Sequence, residues 1–423
     1  MPVASKTPMT VVERILAAHA GVDVVRPGQI VTCSVDRVVM IDLQFGGGSP
    51  LPGVVFDPSR VSIILDHAVP APTLVDAEAQ RAARQFAAEF GIADLADVGA
   101  HGISHQIVLE RALALPGQVL ACADSHSCAS GALNCAARGL GNLEIVQIVC
   151  TGSTWFQVPP SVLVTFTGSK ADGVSGKDVF LALADVVGSV EACSVEFGAD
   201  GLGALSIDER STIATMCAEL SAEFAIFAAD DVLLDYVAGR NAAPFEPVAP
   251  DPGAAYVDRV VIVAAVEPRV ALPGSVPNNT VAVRELGAAV PIDQAFIGSC
   301  ANGKLSDLAD AARILDGRHV HSGVRLVVTP ASQDVYLQAA RLGYLATLVE
   351  AGAVVTTPTC GACYGGHMGL LAAGETCITS STRNFEGRMG SKDAHIYLAA
   401  SATVAASAVT GTITDPRELL EAR

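Results

Sequence analysis

A repeated order of strand, loop and helix limits what this chain can fold into. Short apolar runs rich in β-branched residues occur at 30–42, 61–65, 118–123, 161–166, 259–265, 295–298 and 325–328. Patterns with helical spacing lie between them, at 77–90, 177–187, 208–228, 304–315 and 334–346. Parallel strands need a crossover connection, usually a helix, so this order favours parallel sheets covered by helices. The sequence therefore predicts an α/β protein.

The length and one proline-rich segment indicate several domains. A chain of 423 residues corresponds to roughly two to four domains. Residues 241–253 contain four prolines and no hydrophobic period, which is typical of a linker. The order of strand, loop and helix continues on both sides of this segment.

The composition argues against several classes of protein. With 26 Lys and Arg against 44 Asp and Glu, the net charge is −18, so the chain repels the phosphates of nucleic acids. No apolar run approaches the ~18 residues of a membrane span, and residues 1–10 lack a basic region followed by an apolar one. We therefore expect a cytoplasmic protein with neither nucleic-acid nor membrane partners. An anionic small-molecule ligand must then meet locally placed Arg, Lys or His.

Three of the eleven cysteines stand on glycine-rich loops. Cys360 and Cys363 lie three apart, and Cys300 follows Gly298 and Ser299. The pair could be half of a zinc site or a redox dithiol, although the βαβ start and flanking Trp of a thioredoxin-like site are absent. All three could instead hold a 4Fe–4S cluster and leave one iron open as a Lewis acid. The alternative is that Cys300 is a small buried residue and that the pair binds zinc or nothing.

Acidic and imidazole side chains gather after the predicted strands. Asp66 and His67 follow the run at 61–65, where open α/β sheets bind ligands. A carboxylate beside an imidazole orients it and raises its pKa, so that it can deliver a proton near neutral pH. A single histidine here is more often a hydrogen-bonded core residue, whereas three beside carboxylates favour a functional site. The acid–base candidates are Asp66, His67, His105, Asp124, His126 and Glu196.

Two arginines are candidates for binding a carboxylate. Arg383 and Arg388 lie five apart and flank Asn384, Phe385 and Gly387. A guanidinium group matches a carboxylate through two parallel hydrogen bonds. The alternative is a surface salt bridge, but the intervening Asn-Phe-Glu-Gly predicts a tight, partly buried turn.

Several motifs together resemble those of a known family. The strongest are G-S-C-A-N-G-K at 298–304, P-T-C-G-A-C-Y-G-G-H at 358–367 and T-R-N-F-E-G-R-M-G-S at 382–391. Supporting motifs are Asp66-His67, H-G-I-S-H-Q at 101–106, A-D-S-H-S at 123–127 and T-G-S-T-W-F at 151–156. With these motifs the chain resembles the aconitase superfamily over nearly its whole length. The likeness is strongest to the branch that contains the large subunits of 3-isopropylmalate dehydratase and its homoaconitase and dimethylmalate dehydratase relatives.

This resemblance implies a fold and a partner. It implies three aconitase-type α/β/α domains around a central cleft, which we place at about 1–130, 131–250 and 251–423. The family's catalytic base is a serine on a fourth, swivelling domain. We expect this chain to lack that domain and a separate small subunit to carry it, so that the large chain alone is inactive.

The resemblance also implies a cofactor and residue roles. A 4Fe–4S cluster would be held by Cys300, Cys360 and Cys363, and its open iron would take the substrate hydroxyl and a carboxylate. His67, paired with Asp66, is similar to the family's proton donor to the departing hydroxyl. The implied supporting pairs are His105 with Asp124 and His126 with Glu196. The implied substrate-binding residues are Ser125, Thr382, Arg383 and Arg388.

Some positions depart from the family pattern. The family usually has Asn at the position of Thr382, Thr at that of Ala301 and Arg at that of Lys304. Small polar residues usually follow Asp42, whereas this chain has Leu-Gln-Phe, and Phe45 could fill space that a larger substrate needs.

The expected function is therefore that of an iron–sulfur hydro-lyase, similar to 3-isopropylmalate dehydratase, acting on a hydroxy di- or tricarboxylic acid. The substrate is left open, with homoaconitate and methyl- or dimethylmalate as alternatives. A non-catalytic iron–sulfur sensor is the alternative from another class.

Overall fold

The chain folds into strands and helices that alternate along most of its length. The computed structural model describes residues 7–263 and 265–421. Its strands are β1 (Ile30–Ser34), β2 (Arg37–Ile41), β3 (Val61–Ile64), β4 (Asp94–Ala96), β5 (Val119–Cys122), β6 (Ala136–Gly139), β7 (Ser153–Gln157), β8 (Ser161–Thr167), β9 (Ser194–Phe197), β10 (Ala225–Phe227), β11 (Asp258–Val263), β12 (Arg269–Ala271), β13 (Thr280–Ala282), β14 (Gln294–Ile297), β15 (Arg325–Val328), β16 (Val354–Val355), β17 (Thr376–Thr379) and β18 (His395–Ala399).

The α-helices complete this pattern. They are α1 (Val11–Ala20), α2 (Leu74–Phe90), α3 (Ser104–Glu110), α4 (Asn142–Thr151), α5 (Gly176–Val187), α6 (Ile207–Met216), α7 (Asp231–Ala238), α8 (Leu305–Leu315), α9 (Gln333–Arg341), α10 (Tyr344–Glu350), α11 (Ser401–Thr410) and α12 (Arg417–Leu420). Short 3₁₀ turns lie at Asp42–Phe45, Pro58–Arg60, Ser127–Leu133, Leu202–Ala204, Cys217–Leu220, Val283–Glu285 and Gly361–Tyr364. None of the described helices is long and apolar enough to cross a bilayer.

Three sheets of mostly parallel strands organise the molecule. The first has the order β4-β3-β2-β5-β6, the second β10-β9-β8-β11, and the third β13-β12-β18-β17-β14-β15-β16. Strand pairs are parallel throughout, except where β12 meets β13 and β18; β1 and β7 form a separate antiparallel pair. Strands such as β3 and β5 are buried at every residue, as expected of parallel sheets covered on both faces. The predicted α/β class is confirmed.

Local sequence explains where the first helix begins. Thr10 accepts a hydrogen bond from the backbone N–H of Glu13, and the Glu13 carboxylate accepts one from that of Thr10 at 2.7 Å. A reciprocal cap of this kind stabilises a helix by about 1 kcal/mol. The apolar face of α1, with Ile15 and Leu16, packs into the core beside the first sheet.

The proline-rich segment is not a free linker between domains. After it, β11 returns to the second sheet and pairs in parallel with β8. The segment itself is held down, because Val248 N–H donates to the Asn134 side-chain oxygen at 2.8 Å and Asn134 Nδ2 donates to the Val248 carbonyl at 3.1 Å. These tertiary contacts leave no trace in local composition. In chain order, the strands of the second sheet run from β8 to β11, and those of the third sheet begin with β12.

Runs of small residues at 129–139 and 394–409 predict two further helices, but both are partly other structures. Residues 129–139 form the end of a 3₁₀ turn and then β6, and the small-residue run at 394–409 begins as β18 before α11 starts. In both cases strand pairing overrides the helical preference of the small residues: β6 pairs with β5 and β18 with β17.

Close backbone contacts join the three sheet units. An added Cβ on Gly131, in the turn after His126, would lie 1.6 Å from the Ala225 carbonyl oxygen on β10. One on Gly102, just before α3, would lie 2.7 Å from Ser332 Cα, and Ile103 N–H donates to the Ala331 carbonyl at 2.8 Å. Glycine at these places lets the loops of the first unit touch the second and third units directly.

Replacing Gly131 by Ala should therefore lower the free energy of unfolding by about 2 kcal/mol or more, because the methyl group has no space. Gly203→Ala is the matched control, since an added Cβ there meets nothing within 4 Å. Thermal and denaturant unfolding of both variants checks this. Equal stability of the two would contradict the close approach of Gly131 to β10.

Candidate active site

One narrow cavity lies at the carboxyl ends of strands from the first and third sheets. Its lining is Asp66, His67, Ile103, Ser104, His105, Asp124, His126, Ser299, Cys300, Cys360, Cys363, Tyr364, Thr382 and Arg388. Most of the residues predicted from the sequence are therefore brought together. Ser125 is exposed next to Asp124, and Arg383 is half-buried beside the lining.

Strand ends supply the reactive groups. In the first sheet, Asp66 follows β3 and Asp124 follows β5. In the third sheet, Cys300 follows β14, Cys360 lies after β16 and Thr382 after β17. Because these strands are parallel within each sheet, their loops emerge at one edge. The two edges face each other across the cavity.

Asp42, Asp66 and His67 form one buried hydrogen-bonded group. The Asp66 carboxylate contacts His67 Nδ1, while Asp42 accepts hydrogen bonds from the backbone N–H of His67 at 3.1 Å and of Ala68 at 2.9 Å. Burial lowers the pKa of His67, but the charges of Asp66 and Cys360 and hydrogen bonds to Asp42 and Asp66 together outweigh burial and raise that pKa well above its usual value. The imidazolium form of His67 is thereby favoured.

Asp124 lies among three histidines. Its Oδ1 is 2.8 Å from His105 Nε2 and 3.4 Å from His126 Nδ1, and its Oδ2 is 3.8 Å from His67 Nε2. Burial raises the pKa of Asp124, but His105 and His126 outweigh burial and hold that pKa well below its usual value. The expected pairing of His105 with Asp124 is present in the structure.

His126 pairs with Glu219 and not with Glu196. His126 Nε2 lies 3.0 Å from Glu219 Oε1, which also accepts a hydrogen bond from Arg383 Nε at 2.8 Å. Burial lowers the pKa of His126, but Asp124 and Glu219 raise it above its usual value. The Glu219 pKa is lowered, because His126 and Arg383 outweigh the effect of burial.

The predicted partner Glu196 lies elsewhere, on β9 of the second sheet. Its carboxylate accepts hydrogen bonds from the N–H groups of Val11 (3.1 Å) and Val12 (2.9 Å), at the start of α1, and from the Tyr256 hydroxyl (3.0 Å). A carboxylate at a helix N-terminus is a favourable structural contact. The predicted pairing of His126 with Glu196 is therefore wrong.

The three candidate cluster ligands are buried free thiols. Burial raises the pKa of Cys360 to about 12 and that of Cys300 well above its usual value. Burial also opposes ionisation of Cys363, but the charge of Arg388 and hydrogen bonds from Thr382 outweigh it and lower the Cys363 pKa. Three sulfur donors around one cavity suit an iron–sulfur cluster.

Two unpaired polar atoms indicate a polar occupant beside the thiols. Arg388 Nε is buried without a hydrogen-bond partner, and so is Ser104 Oγ; Arg388 Nη2 lies 4.0 Å from Cys363 Sγ. Buried polar atoms rarely stay unpaired, because leaving them so costs about 1–3 kcal/mol. The donor set therefore fits a 4Fe–4S cluster with an anionic group bound next to it.

Two positions that depart from the family pattern lie in different places. Phe45 is buried and packs against Phe86 with ring centroids 5.7 Å apart, so the expectation that it fills the cavity is wrong. Its side chain joins the core of the first unit instead. Thr382 does line the cavity, and its Oγ1 is 3.8 Å from Cys363 Sγ.

Sequence reasoning missed three residues of this site. Asp42 stands directly after β2, so the strand-end criterion that found Asp66 and Asp124 could also have found it. Tyr364 packs edge-on against the His67 ring, with centroids 5.1 Å apart, and its position beside Cys363 was a usable signal. No local sequence pattern marks Glu219 as a residue of this site.

Comparisons with known proteins agree with this geometry. Residues 55–411 match the aconitase family (aconitate hydratase). The 3-isopropylmalate dehydratase large subunit of Mycolicibacterium smegmatis is 54% identical over 413 residues, which cover 97% of this chain and 98% of that protein. The protein of the same name from Moorella thermoacetica is 41% identical over 425 residues, covering 98% and 100%.

A solved structure shows the same fold at low sequence identity. The holo form of Thermococcus kodakaraensis aconitase X aligns with a TM-score of 0.50 and 12% identity over 84% of each chain. The α/β site with its thiols and Asp–His groups is thus set in an aconitase-type fold. This chain belongs to the aconitase family.

The pairing of His126 with Glu219 can be tested by titration. Glu219→Gln should lower the pKa of His126, because a nearby carboxylate that stabilises the imidazolium is lost. Glu196→Gln is the control and should leave that pKa unchanged. NMR of selectively labelled histidine side chains measures both. Equal shifts of the His126 pKa in the two variants would contradict the pairing of His126 with Glu219 and not with Glu196.

Proposed function

We propose that this chain is the large subunit of an iron–sulfur hydro-lyase similar to 3-isopropylmalate dehydratase. It would remove and re-add water on a hydroxy di- or tricarboxylic acid. The observation that carries the proposal is the cavity in which three buried thiols and an unpaired arginine nitrogen face two Asp–His groups. The names of the relatives support the substrate class.

The thiols would hold the cofactor. Cys300, Cys360 and Cys363 would bind a 4Fe–4S cluster, which when bound supplies an iron that acts as a Lewis acid toward substrate oxygens. Thr382 and Arg388 favour the thiolate form of Cys363. All three cysteines are buried.

His67 would give a proton to the departing hydroxyl. Asp66 contacts Nδ1 and keeps the ring charged, while Nε2 faces the cavity near Asp124. A general acid in this arrangement typically contributes a factor of about 10²–10⁴ to the rate. Asp42 fixes the main chain at His67, so the ring is held in one orientation.

Two arginines would bind the substrate carboxylates. Arg388 lines the cavity with its Nε unpaired. The Glu219 carboxylate accepts a hydrogen bond from Arg383 Nε. This contact sets the plane of the Arg383 guanidinium group and links it, through Glu219, to His126. Ser125 and Thr382 complete the proposed substrate-binding set. Fixed donors of this kind lower the barrier by positioning the substrate and by stabilising developing negative charge.

A separate small subunit would supply the base. In the family this base is a serine on the swivelling domain, and the relatives above are named large subunits. The active enzyme is then a heteromer in which the small subunit covers the cavity. A cytoplasmic location suits it, because all eleven cysteines are free thiols and reducing compartments keep thiols reduced.

The lone chain with a reconstituted cluster should be inactive, and co-purification with its small subunit should restore dehydration. The assay follows formation of the conjugated alkene anaerobically, with isopropylmalate, homocitrate, citrate and methyl- or dimethylmalates. Full turnover by the lone chain would contradict the two-subunit proposal. A cluster spectrum in the complex without turnover of any of these acids would favour the sensor alternative.

Replacing any one of Cys300, Cys360 and Cys363 by Ser should abolish stable cluster binding, because each supplies one of three ligands. Cys377→Ser is the matched control: Cys377 is also a buried free thiol but lies outside the cavity lining. Iron and sulfide content with visible absorption measures the effect, and circular dichroism checks the fold. Equal iron loss in the control would contradict the assignment.

A further inference from the structure

A fully buried lysine lies behind the cavity, with no carboxylate of the described residues within ion-pair distance. Lys177, in the first turn of α5, is 0% exposed. Its Nζ donates to the Ser381 carbonyl at 2.6 Å and the Ser380 carbonyl at 3.2 Å, and lies 3.4 Å from Met216 Sδ. Within the described ranges it forms no ion pair with a carboxylate. Burial lowers its pKa to about 8, so the side chain is still mainly a cation at neutral pH.

A buried ammonium group without a counter-charge is strongly unfavourable. Hydrogen bonds to two carbonyl oxygens offset only part of that cost. A fold that nevertheless places a lysine here therefore gains from negative charge that arrives later. Cys300 and Cys363 could supply it, because their thiolate charges would act on Lys177, as that of Asp307 does.

The carbonyl groups that accept hydrogen bonds from Lys177 lie just before Thr382, which lines the cavity. Ser381 precedes Thr382, whose Oγ1 is 3.8 Å from Cys363 Sγ. Ser380 Oγ accepts a hydrogen bond from Gly298 N–H at 3.1 Å and donates to the Asn302 carbonyl at 3.1 Å, on the loop of Cys300. One ammonium group thus supports the backbone beside both cysteines.

A second buried lysine, Lys304, supports the backbone of the loop that carries Cys300. Lys304 Nζ donates to the carbonyls of Cys300 at 3.1 Å and Ala301 at 2.5 Å. Asp307 accepts a hydrogen bond from the backbone N–H of Lys304 at 3.1 Å, and the charge of Asp307 acts on both lysines.

We propose that Lys177 is the buried counter-cation of the cluster thiolates and the positioning residue for the Ser380–Thr382 segment. This inference rests on the proposed function, since it assumes that the thiols bind a cluster. Ligated thiolates add negative charge near Lys177 that neutral thiols lack. Lys177 should therefore stabilise the cluster-bound protein more than the cluster-free protein.

The test compares stability with and without the cluster. Wild type, Lys177→Met and Lys177→Gln are prepared as cluster-free, reduced protein and as anaerobically reconstituted complex, and thermal midpoints are measured for each form. Gln keeps a donor for the Ser381 carbonyl but no charge, so it also serves if the Met variant fails to fold. Lys392→Met, at an exposed lysine, is the control.

We expect the rise in thermal midpoint on cluster binding to be smaller in both Lys177 variants than in wild type, and unchanged in the control. The reduction potential of the cluster should shift to more negative values in both, because loss of a nearby positive charge disfavours the reduced state. Electron paramagnetic resonance at controlled potentials measures that shift.

Equal loss of stability in both forms, with an unchanged potential, would show a structural role only and overturn the inference. That result would leave the proposed function intact, because wild type would still bind its cluster. If wild type binds no cluster under reconstitution, the proposed function fails and the inference fails with it.

Discussion

The site depends on one carboxylate, that of Asp124, which faces three histidines from different parts of the first unit. His105 comes from α3, His126 from the turn after β5, and His67 from the loop after β3. The charged forms of His67 and His126 would repel each other without an anion between them. Their shared partner lets the protein gather proton-donating groups in a buried place, and the remaining charges of the cavity are arranged around this centre.

The sequence predicted much of the fold and of the site because both follow local rules. Alternating strands and helices gave the α/β class, and polar residues after apolar runs identified Asp66 and Asp124, since strand ends meet at one sheet edge. Glu219 could not be found in this way. It reaches His126 from a turn 93 positions along the chain, in a run that reads as ordinary helix.

Errors arose where tertiary contacts overrode local pattern. The acidic candidate Glu196 is on a strand of the second sheet, and its hydrogen bonds to the start of α1 follow from how that helix packs. The proline-rich segment looked unattached because the side chain that binds it, Asn134, lies more than a hundred residues away. Small residues near Gly131 suggested a helix, although their size serves the close approach to β10.

The contacts of Gly102 and Ile103 with residues 331–332 have a consequence for how the cavity is reached. They tie the loop just before His105 to the third unit by backbone atoms, with no side chain that could swing aside. A hinge that parts the first and third units would have to break these contacts. Access to the cavity from another side would leave this seam shut.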